Sequence, residues 1–132
     1  MPKYVAVWLD HREARIFHID PYTIDEKTVL APLHNIHHKH PVGPEGVHEH
    51  PEDAKRFFHE VAQALDGAGE VLVLGPGSAK TELLKHAHKH EPKLAERIVG
   101  VESADHPTPG QIVGHARAYF HAKDRMLGNP PG

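Results

Sequence analysis

A chain of 132 residues, 39% of them hydrophobic, is long enough for one hydrophobic core and too apolar for a disordered segment. It contains no cysteine, which excludes disulfides, thiolate metal sites and cysteine nucleophiles and leads us to expect a reducing, cytoplasmic setting. The net charge of −3 excludes the overall basic excess by which nucleic-acid binders displace counterions, yet there are 15 histidines: fifteen added protons would carry −3 to +12, so mild acidification near the imidazole pKa of about 6.5 can reverse the sign of the surface.

The opening Met1-Pro-Lys-Tyr-Val-Ala-Val-Trp-Leu-Asp10 has only a short apolar run closed by a charge, so we expect neither a signal peptide nor a membrane span. Tyr4 to Leu9 reads as a central strand, with Trp8 in the core. Asp10-His-Arg-Glu13 forms a polar turn, and Ala14-Arg-Ile-Phe-His-Ile19 alternates as the second strand of a hairpin. After Asp20-Pro21, Thr23 to Leu30 alternates weakly, as a third strand near an edge would. Pro32 to Pro51 has no apolar periodicity and reads as a long loop carrying His34, His37, His38, His40, His48 and His50.

Pro51 suits the first turn of a helix, and Glu52 and Asp53 favour its positive end. Ala54, Phe57, Phe58, Val61 and Leu65 mark its apolar face, and Asp66-Gly-Ala-Gly69 stops it. Glu70 to Leu74 is a continuous apolar run, the mark of a strand covered on both faces. Gly75-Pro-Gly77 turns the chain, and Ser78 is expected to cap a helix reaching about His90. Pro92 to Arg97 adds a helical turn or two, and Ile98-Val-Gly-Val101 reads as another buried strand. In the last helix Thr108 caps, Pro109 takes the first position, Gln111 completes a capping box, and Ile112, Val113, Ala116, Tyr119 and Phe120 face inward. We expect one domain over residues 1–127 and a frayed tail over 128–132.

The order is therefore β-β-β-α-β-α-β-α: an α/β fold of ribonuclease H-like plan, a three-layer sandwich with a mixed five-stranded sheet between helices. This order, with Leu9-Asp-His-Arg-Glu-Ala14, Arg56-Phe-Phe-His-Glu-Val-Ala62 and above all Val71-Leu-Val-Leu-Gly-Pro-Gly-Ser-Ala-Lys-Thr-Glu-Leu83, resembles the middle domain of the eukaryotic and archaeal class-1 peptide-chain release factors and of Pelota. The resemblance covers most of residues 3–125 and implies a translation-associated protein. Its partners would be the ribosome, rRNA or tRNA, with no membrane; a homo-oligomer is compatible with it. Some bacterial proteins with domains of this superfamily are associated with ribosome binding or hibernation.

In release factors a Gly-Gly-Gln tripeptide lies between the third strand and the first long helix, and its glutamine helps to place water at the ester joining peptide to transfer RNA. Here that interval reads His37-His-Lys-His-Pro-Val-Gly-Pro-Glu-Gly-Val-His-Glu-His50, with no glutamine. No catalytic residue is therefore carried over, and peptide release is not expected. Pelota-like proteins also lack the tripeptide, which leaves ribosome binding without hydrolysis.

Gly75, Gly77 and Ser78 precede a helix start, where free N–H groups and the helix dipole favour anions, and Lys80, Lys85 and Lys89 add charge. Together with Lys39 of the loop they are the candidate contacts to RNA phosphate. The alternative is packing and capping alone, and the segment is no P-loop, since Ala79 stands where its glycine belongs. His37, His38, His40, His48 and His50 offer ligands for zinc or nickel, although no spacing matches a closed zinc site. The competing readings are a solvated loop binding metal only adventitiously, and protonated imidazoles on RNA phosphate; no cofactor is required. Glu82, His86 and His90 recur at helical spacing and form a second metal candidate, against a plain exposed polar stripe. Asp10, with Asp105, stands where ribonuclease H-like nucleases bind metal, but neither Glu13 nor Glu102 makes a convincing third carboxylate, so a nuclease ranks below the ribosomal and metal-binding readings.

Overall fold

The computed structural model describes residues 4–20, 24–32 and 51–126. Along them run β1 (Tyr4–Leu9), β2 (Glu13–Ile19), β3 (Ile24–Leu30), α1 (Pro51–Ala64), β4 (Glu70–Gly75), α2 (Ala79–His90), α3 (Pro92–Arg97), β5 (Ile98–Ser103) and α4 (Pro109–Met126). The order agrees with the sequence reading, and the turns after Pro92 form a separate short helix. The histidine-bearing loop and the tail over 128–132 lie outside the described residues.

All five strands form one sheet in the order β3-β2-β1-β4-β5. The Asp10 carboxylate accepts the backbone N–H groups of Arg12 and Glu13 at 2.8 and 3.0 Å, and the Asp10 N–H donates to the Glu13 carbonyl at 3.1 Å. This local turn chemistry folds β2 back antiparallel on β1, pairing Leu9 with Ala14 and Tyr4 with Ile19. β3 follows antiparallel to β2. β4 is reached through a helix, and so can return parallel to β1; β5 does the same beside β4.

Alternation along the strands divides the core in two. Val5, Val7, Leu9, Ala14, Ile16, Val71 and Val73 face α1, α2 and α3, meeting Phe57, Val61, Leu65, Leu83 and Leu94. Ala6, Trp8, Phe17, Ile19, Leu72 and Leu74 face α4 and meet Ile112, Val113, Ala116 and Phe120. β1 and β4 are central and buried on both sides, which is why they read as unbroken apolar runs. Each fully buried aliphatic side chain of these strands stabilises the fold by roughly 1.5–3 kcal/mol.

β3 is an edge strand, as expected, with six of its seven residues exposed. Its charged Asp25, Glu26 and Lys27 discourage pairing with another chain, and Glu26 ties it to Arg15 of β2 at 3.1 Å. β5 differs from the expectation of a buried strand. It is the other edge, with one paired neighbour, and Ile98 to Glu102 are only half buried. Its apolar run signalled contact with β4 and α4, not enclosure.

α4 begins as the sequence predicts. The Thr108 N–H donates to the Gln111 side-chain oxygen at 2.9 Å, and the Gln111 N–H donates to the Thr108 hydroxyl at 3.1 Å. Beneath it Trp8 is buried, its indole N–H shared between the carbonyls of Ala104 and Asp105 at 3.2 and 3.0 Å.

Candidate functional site

Chemistry-bearing side chains gather on the α1–α2–α3 layer, in two groups at opposite ends of α2. The first surrounds its start. Gly75 closes β4 so tightly against β1 that a Cβ there would lie 2.3 Å from the Leu9 carbonyl oxygen. Its requirement is backbone packing, not room for a ligand. Gly77 is exposed and has open space around it.

Ser78 does not cap α2 with its side chain; it is in helical conformation and its hydroxyl donates to a Glu82 carboxylate oxygen at 2.8 Å. The capping expectation fails because Glu82, four residues on, offers a charged acceptor on the same helical face. His11 of the β1–β2 turn brings its Nε2 within 3.0 Å of the same carboxylate oxygen. The Lys80 ammonium donates to the Gly77 carbonyl. A carboxylate thus already stands at the positive end of α2, where a phosphate was expected to bind. Lys85 and Lys89 lie one turn apart on the exposed face of α2. Lys39, the remaining phosphate candidate, lies outside the described residues, as do His37, His38, His40, His48 and His50.

The second group closes the other end of α2. Among the described residues His86 is the only buried polar side chain. It packs on Phe58 of α1, with ring centroids 5.9 Å apart, and on His90, 5.0 Å away. Glu91 joins α2 to α3. The following Pro92 disfavours helical geometry at Glu91, which sits at φ −133° and ψ 65°, while its N–H still donates to the Ala87 carbonyl at 2.8 Å. That bend swings its carboxylate back over α2 and towards α1. One carboxylate oxygen lies 2.7 Å from Nδ1 of His59 and 3.4 Å from Nε2 of His86. The shorter contact is a hydrogen bond. The longer one is too poorly aligned to count as a formed hydrogen bond at the buried Nε2, yet it is close enough to pull on the titration of both groups.

Burial lowers the pKa of His86 against the opposing pull of Glu91, so at neutral pH the ring is an uncharged imidazole. Hydrogen bonding from His59 lowers that of Glu91 and keeps it ionised. One ligand atom each from His59, His86 and Glu91 lies within 4.8 Å of the others.

The helical stripe Glu82–His86–His90 is thus not what gathers here. Glu82 turns to His11 and Ser78, and His86 joins His59 and Glu91 instead. Spacing along one helix located His86 but could not reveal His59, which α1 contributes. Pro92 was the available signal for a fixed Glu91. At the far end of the first strand, Asp10 is occupied by its turn, and Asp105 is exposed beside His106. Among the described residues neither carboxylate belongs to a cluster able to hold a metal, and no helix is long and apolar enough to cross a membrane.

The mixed sheet, its strand order and its helical layers define an α/β domain of ribonuclease H-like plan, similar in fold to the middle domain of Pelota. No family model matches the chain. The chain is 31% identical to a Pelota homologue of Methanocaldococcus jannaschii over 104 residues, 77% of this chain and 28% of that protein. The Thermoplasma acidophilum Pelota structure superposes with a TM-score of 0.57 at 24% identity, covering 92% of this chain and 32% of its own. An archaeal translation termination factor gives 0.57 at 16% identity, with 96% and 39% covered. The chain therefore carries a Pelota- and release-factor-like middle domain, and spans little more than a quarter of the curated relative it matches.

Proposed function

We propose that this protein is a non-catalytic translation factor that docks on the ribosome, touching ribosomal or transfer RNA, without releasing peptide. The observation that carries the reading is the Pelota likeness across 77% of the chain, on a fold shared with an archaeal translation termination factor. The absence of a Gly-Gly-Gln tripeptide from the sequence supports its non-catalytic half. The sequence holds two glutamines, Gln63 and Gln111, and neither follows a Gly-Gly pair. Gln111 is moreover engaged in the capping box of α4.

The docking surface in this reading is the exposed face of α2, with Lys85 and Lys89 as phosphate contacts and Lys39 of the loop as a third. Gly77, exposed and unobstructed, sets no steric bar at the start of α2, but the Glu82 carboxylate there opposes phosphate and shifts the contact towards Lys85 and Lys89. Lys80 and Ser78 are committed to local partners and contribute less. The phosphate contacts would make binding salt-dependent.

Sedimentation of the purified protein with ribosomes at low and moderate salt tests the proposal. Cosedimentation that weakens with salt is expected. Replacing Lys85 and Lys89 by alanine should flatten the slope of log affinity against log salt by about one per lysine. Failure to travel with ribosomes at either salt concentration would overturn the ribosomal reading, and an unchanged slope would move the contact away from α2.

A further inference from the structure

The geometry points to a binding site for a divalent transition-metal ion of the zinc class, held by His59 of α1, His86 of α2 and Glu91 of the α2–α3 junction. Three features of the site combine. The donor set of two imidazoles and one carboxylate suits zinc and its neighbours, and three protein ligands leave a fourth position for water or another group. The three donor atoms already converge within 4.8 Å. And His86, 92% buried, places 3.4 Å from the carboxylate an Nε2 that forms no well-aligned hydrogen bond.

That last feature separates the group from an ordinary surface ion pair. Leaving a buried polar atom unsatisfied costs about 1–3 kcal/mol. A metal ion at the convergence point would satisfy it. The distances fit this reading. With metal–ligand bonds of about 2.0–2.1 Å, ligand atoms at the corners of a tetrahedron stand about 3.3 Å apart. His86 Nε2 and the Glu91 oxygen are 3.4 Å apart. His59 Nδ1, at 2.7 Å from that oxygen, would open its hydrogen bond by about half an ångström to reach tetrahedral spacing, and the two imidazole donors, within 4.8 Å of each other, would close on the ion. The His59 side chain is half-exposed and can shift towards solvent.

The frame is fixed where precision matters. His86 is wedged between the Phe58 and His90 rings, and Glu91 is anchored by the backbone bonds that end α2 and begin α3. The site would therefore tie α1 to α2 and to the junction that leads into α3. It is separate from the histidine-rich loop that composition alone singles out, and independent of the lysine face of α2.

Titration of the EDTA-stripped, dialysed chain with zinc chloride by calorimetry at neutral pH tests the assignment. Four proteins are compared: the unaltered chain, His59→Ala, Glu91→Gln, and a loop variant with His37, His38, His40, His48 and His50 all replaced by asparagine. The two site substitutions are at partly exposed positions, and circular dichroism checks that both variants fold. The unaltered chain and the loop variant are expected to bind one zinc ion tightly, and each site variant at least about tenfold more weakly. Zinc should also raise the melting temperature of the first two and leave the site variants much less affected, as binding linked to folding requires. The assignment is overturned by tight binding that survives in either site variant, by its loss in the loop variant, or by an unaltered chain that binds zinc no better than a free peptide of the loop sequence.

Discussion

Beneath α4 two polar groups end in backbone hydrogen bonds, the Trp8 indole N–H on the carbonyls of Ala104 and Asp105 and the half-buried Tyr119 hydroxyl on that of Val99 at 2.9 Å, while the buried Glu70 Oε1, without a hydrogen bond, is 3.5 Å from the Lys123 ammonium of α4. Beneath α1, α2 and α3, on the opposite face of the same sheet, the buried imidazole of His86 ends in no hydrogen bond at Nε2 and stops short of the Glu91 carboxylate. Both layers enclose a continuous apolar core. The difference lies in how their polar groups are used. The α4 layer answers its polar atoms with backbone carbonyls or, at Glu70, with the opposite charge of Lys123, and serves the fold. The three-helix layer keeps a donor set directed at a shared point and lysines directed outward, at some expense in stability.

The largest loss of stability should come from the α4 side. Phe120 is buried, with its ring 4.6 Å from that of Tyr4 and 5.5 Å from that of Tyr119. Phe120→Ala should destabilise the fold by about 3–5 kcal/mol in urea unfolding while leaving zinc affinity unchanged in the folded protein. A loss below about 1 kcal/mol would mean that α4 is not the stabilising layer described here. Next in size, Gly75→Ala forces a Cβ against the Leu9 carbonyl at the seam between the two parallel central strands. It should cost about 2–3 kcal/mol, near the top of the usual overpacking range because the obstructing atom is backbone. Smaller again, Thr108→Ala removes half of the α4 capping box and should cost about 1 kcal/mol by the same measurement.

How far the sequence reveals the molecule follows the same division. β1 and β4 are legible because a strand buried on both faces must be apolar throughout, and α4 because its cap requires particular side chains at fixed offsets. The edge position of β5 is hidden, since four apolar residues look alike whether one neighbour covers them or two. Ser78 misleads for a local reason: its hydroxyl can serve the helix backbone or Glu82, and the charged acceptor prevails. The His59–His86–Glu91 group is harder still. His59 and Glu91 are 32 residues apart, and only the packing of α1 on α2 brings them together. No periodicity within one helix encodes that meeting. Pro92 hints that the chain bends at Glu91, but not towards what.

The sharpest probe of the comparison has the smallest expected effect on stability. In EDTA, His86→Leu replaces a buried imidazole bearing an unsatisfied nitrogen by an apolar side chain, and Glu91 keeps its 2.7 Å contact to His59. Stability should stay within about 1 kcal/mol of the unaltered chain or rise, although a core position has been changed. The pH dependence should change with it. The pKa of folded His86 is lowered, chiefly by burial, with Glu91 opposing and His90 and His59 adding to the lowering. The unfolded chain therefore takes up its proton first. Stability associated with His86 is complete above about pH 6.5, and declines as the pH falls from there towards the lower folded value. Glu91, also lowered, loses its contribution only at more acidic pH, below the ordinary carboxylate value and through its own folded pKa. Urea midpoints across this range should show His86→Leu losing less stability than the unaltered chain in the first window. The lower window should persist, because His59 is the main cause of the Glu91 shift. Identical profiles in the first window would mean that His86 is not held neutral by burial. A large destabilisation at neutral pH would mean that the imidazole contributes to folding as Trp8 does, and the distinction between the two layers would collapse.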